Sequence, residues 1–155
     1  MVKRFELFTS AISGIYRDIQ KIGRDEMERY GLKGAYAQYL LAIDRYPEGI
    51  TAAQLCDICD KNKAAVSRIA AEMESKGLIT RKGVNNQYKA PLLLTEEGAK
   101  AVRYVKERAG LAAEIAGRGL TDEARKNLYI SLRIIANHLQ KFCENGLPLE
   151  KEPNQ

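Results

Sequence analysis

The chain has no tryptophan, one histidine, three cysteines and four prolines. Each scarcity excludes something. A zinc site needs about four ligands. The pair Cys56 and Cys59 has no second Cys/His pair nearby, and the sole histidine, His138, lies far along the chain. An odd cysteine count argues against a disulfide framework. With one histidine and no nucleophile motif, no acid–base or covalent site can be assembled. The expectation is a protein that is not an enzyme and needs no metal and no cofactor. No apolar run reaches the ~18 residues of a membrane span. The opening MVKRFELFTS carries a charged pair, then Glu6, and no apolar core follows. That reads as no secretion signal, so a cytoplasmic protein is expected. No stretch rich in Pro, Gly or Ser divides the 155 residues, which suits one domain or one compact unit with extensions.

What is present is charge in one place. The hydrophobic fraction, 45 %, is enough for a core, and the net charge is +5, with a pI near 9.1. Residues 61–89 hold Lys61, Lys63, Arg68, Lys76, Arg81, Lys82 and Lys89 against Glu72 and Glu74. Seven cations less two anions is +5, so the remainder of the chain sums to zero. A local basic excess points to a polyanionic partner.

Hydrophobic spacing predicts the elements. Over 4–30, Phe5, Phe8, Ile12, Ile15, Ile19 and Ile22 step by 3, 4, 3, 4 and 3, a seam like that of a coiled coil. Gly14 and Gly23 weaken this helix, so something outside it must hold it. Gly31 ends it. A second helix over about 34–46 buries Tyr36, Tyr39, Leu40 and Ile43 and stops at Pro47 and Gly49. Thr51 and Gln54 form a capping box for a short helix whose apolar side is Ala52, Leu55, Cys56, Ile58 and Cys59. Asn62 caps the next helix by accepting from the amide of Ala65. Its inner stripe is Val66, Ile69, Ala70 and Met73, and Lys61, Asn62, Lys63, Ser67 and Arg68 stand on the other side. A helix, a short polar turn and a helix make a helix–turn–helix, whose second helix can enter the DNA major groove. Two strands, Leu78–Arg81 and Ala90–Leu94, flank KGVNNQYK, a hairpin tip tolerant of left-handed backbone. Thr95 opens a helix to about 117 with the stripe Val102, Val105, Ala109, Ala112 and Ile115 or Ala116. Thr121 opens the last, to about 144, with the seam Leu128, Leu132, Ile135, Leu139 and Phe142.

The two clearest seams lie at opposite ends of the sequence, on helices too long for the small central body to cover. Pairing them between two chains buries both and sets two recognition helices about 34 Å apart, one turn of DNA. The expected fold is therefore mainly α with a small β-wing: a winged helix–turn–helix core over 34–98, long dimerisation helices in 1–33 and 99–147, and a disordered tail at 148–155. The expected partners are double-stranded DNA and a second copy.

Three segments together resemble the MarR (multiple antibiotic resistance regulator) family of winged-helix transcription factors. They are Asn62-Lys63-Ala64-Ala65-Val66-Ser67-Arg68, Met73-Glu74-Ser75-Lys76-Gly77-Leu78-Ile79-Thr80-Arg81 and Leu94-Thr95-Glu96-Glu97-Gly98. The resemblance spans about residues 5–145. It implies a homodimer on a palindromic operator, usually a repressor, with the recognition helix in the major groove and the wing along the minor groove or backbone. It also implies release by a small aromatic or phenolic ligand, or by cysteine oxidation. The DNA contacts expected are Lys61, Asn62, Lys63, Ala64, Ser67, Arg68, Arg81, Asn86 and Lys89. Where the family's wing commonly carries Asp-x-Arg, this chain reads Val84-Asn85-Asn86-Gln87-Tyr88-Lys89, which leaves lysine and asparagine to meet phosphate or a groove edge.

Tyr16, Tyr36 and Tyr39 are candidates for an effector pocket or for ordinary half-buried packing. Cys56 and Cys59 are candidates for a redox sensor or for core packing. A thiol oxidoreductase is the weaker alternative, since the pair lies mid-helix, where no helix N-terminus stabilises a thiolate. A winged-helix module that binds protein instead of specific DNA is the other.

Overall fold

The computed structural model describes residues 2–83 and 90–147. Among them are six helices: α1 (Val2–Arg29), α2 (Tyr36–Ile43), α3 (Ala52–Cys59), α4 (Lys63–Ser75), α5 (Glu96–Ala116) and α6 (Asp122–Asn145). Strands β1 (Ile79–Arg81) and β2 (Leu92–Leu94) pair antiparallel, with Ile79 opposite Leu94 and Arg81 opposite Leu92. The expected wing tip, 84–89, and the expected tail, 148–155, lie outside the described residues. The chain divides into two compact units, Met1–Ala112 and Ala113–Gln155.

The first unit holds the core. Tyr36, Leu40 and Ile43 of α2, Leu55 of α3, Val66 and Met73 of α4, Leu92 of β2 and Val102 and Val105 of α5 are all buried. Burying each such side chain stabilises by about 1.5–3 kcal/mol. The sequence-predicted stripes of α2 and α4 thus face inward. On α3 the stripe is narrower than expected. Leu55 is buried and Cys56 and Cys59 are half-buried, but Ile58 is exposed. Helix α3 is only eight residues long and packs on α2 and α4, and Ile58, next to its end, stays outside those contacts.

Local signals set the boundaries. Thr51 makes the full capping box with Gln54. Asn62 accepts from the Ala65 amide at 2.9 Å. Thr121 accepts from the Ala124 amide at 3.1 Å. The turn between α3 and α4 contains Asp60 at φ 50, the sole non-glycine with positive φ among the described residues. A short polar side chain tolerates that left-handed conformation best after glycine. Ile50 adds a bridge that periodicity did not reveal: its amide donates to Leu92 O at 3.0 Å, and the Leu92 amide donates back at 2.8 Å. Gly49 makes this approach feasible. Its φ is +103, and a Cβ there would stand 2.7 Å from Pro91 Cβ.

Two of the quoted segments meet in space. The Thr95 amide donates to Leu78 O at 3.1 Å, and its hydroxyl donates to Gly77 O at 2.6 Å while accepting from the Gly98 amide. Gly98 then lies so close that a Cβ would meet Leu78 O at 2.0 Å. That contact is with backbone, which cannot swing aside.

In the second unit, Arg125 donates to Gly117 O at 3.3 Å and pairs with Glu114 at 3.6 Å. None of the residues of α6 is buried.

Gly98→Ala should therefore cost about 3 kcal/mol of stability. Gly110→Ala, in the same helix with nothing within 4 Å of its new methyl, should gain about 0.5–1 kcal/mol. Urea denaturation of both variants checks the contrast. Equal effects would mean the close approach at Leu78 is not a constraint.

Candidate nucleic-acid interface

Helix α4 carries the candidate site, and two constraints orient it. The first is apolar: Val66, Ala70 and Met73 recur at helical spacing and are buried. The opposite face then has to be outward, and Lys63, Ala64, Arg68 and Ala71 are exposed there. Ser67, on the flank, is half-buried. The small side chains of Ala64 and Ala71 leave a helix surface that another surface can approach closely.

The second constraint is ionic. Glu72 and Glu74 point to opposite flanks of α4, and each meets a cation from another element. Glu72 Oε2 accepts from Lys33 Nζ at 2.6 Å and from the Tyr36 hydroxyl at 3.1 Å. Glu74 Oε2 accepts from Arg81 Nε at 3.1 Å. Hydrogen bonds from Lys33 and then Tyr36 hold the Glu72 carboxyl below the usual glutamate range, and the positive field of Arg68 adds to this. The same carboxylate raises the Lys33 ammonium. Both acids of the helix are thus compensated sideways, and the outward face keeps its positive sign.

The sequence-predicted contacts fall into three groups. Lys61, Lys63, Ala64 and Arg68 are exposed at the start and along the outer face of α4, with Asn62 at its cap. The Asn62 oxygen is used in capping, which leaves two amide hydrogens for another partner. Arg81 stands apart: its side chain is 17 % exposed and bound to Glu74, so it ties β1 to α4. Asn86 and Lys89 lie outside the described residues. Sequence reasoning passed over Lys33. It stands 39 residues before its partner, and no local pattern marks such a pairing.

The tyrosines separate. Tyr36 and Tyr39 belong to the core, Tyr16 is exposed on α1, and the Tyr36 hydroxyl is occupied by Glu72. Burial pushes up both the Tyr36 and Tyr39 hydroxyls, more than their neighbours offset. Cys56 and Cys59 are half-buried. Burial also raises the Cys59 thiol, outweighing the pull of Lys61. Among the described residues no group of three or more His, Cys, Asp or Glu is arranged to hold a metal ion.

Nearby, Glu26 of α1 is buried and fully engaged. It accepts from Arg29 at 2.6 Å, from Arg108 at 3.1 Å and from the Tyr104 hydroxyl at 3.3 Å. Lys106 of α5 pairs with Asp44 just after α2. These ties fix the C-terminal end of α1 to α5 and α5 to α2.

A helix–turn–helix followed by a two-stranded wing and backed by long helices defines a winged-helix protein. The family model for the MarR family matches residues 30–86. A MarR transcriptional regulator from Methanosarcina mazei Go1 is 26 % identical, with a TM-score of 0.74 over 88 % of this chain and 92 % of that one. A MarR family transcriptional regulator from Listeria monocytogenes, complexed with 26mer DNA, is 22 % identical, with a TM-score of 0.69 over 92 % and 97 %. Apo MarR from E. coli is 17 % identical, with a TM-score of 0.68 over 82 % and 94 %. No curated protein matches. Residues 30–86 thus match the MarR family, and the described chain has the fold of these regulators.

At pH 7.5 the raised Cys59 thiol should be alkylated by iodoacetamide at least ~10-fold more slowly in the native protein than in the urea-unfolded chain. Peptide mass spectrometry reads the rate. Equal rates would restore Cys59 as a reactive thiol.

Proposed function

We propose that this chain is a sequence-specific, DNA-binding transcriptional regulator, a cytoplasmic homodimer that represses from a palindromic operator. The observation that carries the reading is the outer face of α4. It is exposed, contains Lys63 and Arg68 beside two alanines, and has both of its helix's acids neutralised on the flanks. Such a face suits a major groove lined by phosphates. The DNA complex of the Listeria monocytogenes relative supports the same reading. Lys61, Asn62, Lys63, Ser67 and Arg68 are the contacts proposed from the helix, with Ala64 allowing close approach. Asn86 and Lys89 are those proposed from the wing. Arg81 serves by holding the wing strand to the helix.

The proposed dimer rests on unpartnered apolar side chains. In α1, Phe5 is 66 %, Ile15 58 % and Ile19 52 % exposed, all on the predicted seam. Exposure at that scale marks an interaction face. Residues 1–33 and 99–147 would form the dimerisation region, and 34–98 the DNA-binding region. Release by a small aromatic or phenolic ligand follows the family pattern. Of the three candidate tyrosines, Tyr16 alone offers a free face for it. Release by oxidation of Cys56 and Cys59 is disfavoured by the Cys59 thiol, half-buried and raised by that burial.

Duplexes enriched by the protein from a random library supply the operator. Fluorescence anisotropy should then show binding that weakens steeply with salt. Arg68→Ala should reduce operator affinity by about 10-fold or more with an unchanged thermal midpoint. Enrichment of no sequence, or salt-insensitive binding, would turn the reading toward a protein-binding winged helix. Separately, the double variant Ile12→Glu and Ile19→Glu should sediment as a monomer and lose operator affinity. A variant that remains dimeric would remove the α1 seam from the interface.

A further inference from the structure

Lys33 lies in the turn between α1 and α2, outside the helix–turn–helix, yet its ammonium reaches the recognition helix. Its Nζ is 2.6 Å from Glu72 Oε2 and 5.9 Å from the centroid of the Tyr36 ring. The Tyr36 hydroxyl donates to the same Glu72 oxygen at 3.1 Å. Tyr36 is completely buried, so the donor to Glu72 is seated in the core. Glu72 follows Arg68 by one helical turn, about 6 Å along the axis. The apolar stripe beneath α4 decides which face is inward, but hydrophobic contact is non-directional and permits sliding. Hydrogen bonds are directional and do not.

Resting on the DNA-binding reading above, we infer that Lys33 and Tyr36 are positioning residues for operator recognition, acting through Glu72 to fix where Arg68 stands. Phosphate contacts hold a protein on DNA, but contacts to base edges discriminate sequence. A helix displaced along its axis keeps the first and loses the second. The Lys33 side chain is 60 % exposed, so its ion pair contributes little to stability. The contribution of the pair is to geometry, and that separates this role from a structural one.

The test uses the full-length protein with the enriched operator duplex and a scrambled duplex in fluorescence anisotropy. Lys33→Gln and Tyr36→Phe should each weaken operator binding about three- to tenfold while scrambled-duplex binding stays within about twofold. For Lys33→Gln the thermal midpoint and the salt slope on the operator should be unchanged. Lys33→Glu should weaken operator binding further, and the swapped pair Lys33→Glu with Glu72→Lys should recover most of that loss. Three results would overturn the inference: an unchanged operator affinity, no rescue by the swap, or an equal loss on both duplexes with the slope reduced by about one. The last is the mark of a lost phosphate contact. If Tyr36→Phe is destabilised, Lys33→Gln and the swap decide alone. Wild-type selectivity is measured first. Its absence would remove the regulator reading and this inference together, whereas a selective wild type with unaffected variants would remove only this inference.

Discussion

Everything at the candidate interface depends on how α4 is seated. Val66, Ala70 and Met73 are buried against the core, and a helix that buries one stripe has to offer the opposite one. The sequence places lysine, arginine and alanine on that opposite stripe. Neighbouring elements are held around this seat by a few specific contacts. Asn62 starts the helix in extended backbone. Just beyond the end of the helix at Ser75, the carbonyls of Gly77 and Leu78 receive the Thr95 side chain and amide. The helix is thus capped at its start, followed closely by a contact to Thr95, and buried along one side. Gly98 makes the second junction so tight that α5 starts against the backbone leaving α4.

This seat also explains why three separate sequence segments occur together in the chain. The segment at Asn62–Arg68 supplies the cap and the exposed cations. The segment at Met73–Arg81 supplies the last buried anchor, the acid Glu74 and its cation Arg81. The segment at Leu94–Gly98 supplies the hydroxyl and the missing Cβ that meet the second segment at Gly77 and Leu78. Each would be a weak signal alone, because caps and Gly-Leu pairs are common. They are specific in combination because α4 joins the first to the second, and the third packs on the backbone that leaves α4.

What could be read from the sequence was local or periodic. The caps at Thr51, Asn62 and Thr121 were legible because a capping side chain acts three residues away. The buried faces of α2 and α4 were legible because helical periodicity projects directly onto burial. Ile58 was misplaced because it lies next to the end of an eight-residue helix, outside the faces that meet α2 and α4. The Ile50–Leu92 bridge was hidden because one residue has no period. Lys33–Glu72 and Glu26–Arg108 were hidden because they join residues 39 and 82 positions apart, and ionic pairing leaves no trace in spacing. The effector candidates were chosen by residue type alone, which could not foresee that Tyr36 spends its hydroxyl on Glu72.

The basic stretch acquires a different meaning from the pairings. Read as composition, Glu72 and Glu74 simply subtract from seven cations. In the structure each is bonded to a cation that positions the helix, Lys33 on one flank and Arg81 on the other. One of those cations, Lys33, comes from outside the stretch, and the other, Arg81, is withdrawn from its exposed surface. The number of charges available to a polyanion is therefore not the formal excess of residues 61–89. It is set by which cations the fold leaves facing outward. On α4 and the turn before it, Lys61, Lys63 and Arg68 are exposed, from just before the helix to its second turn. An arrangement of that kind concentrates positive charge at the end of the helix that already carries the positive pole of its dipole. Charge and dipole reinforce one another where a DNA backbone would first be met.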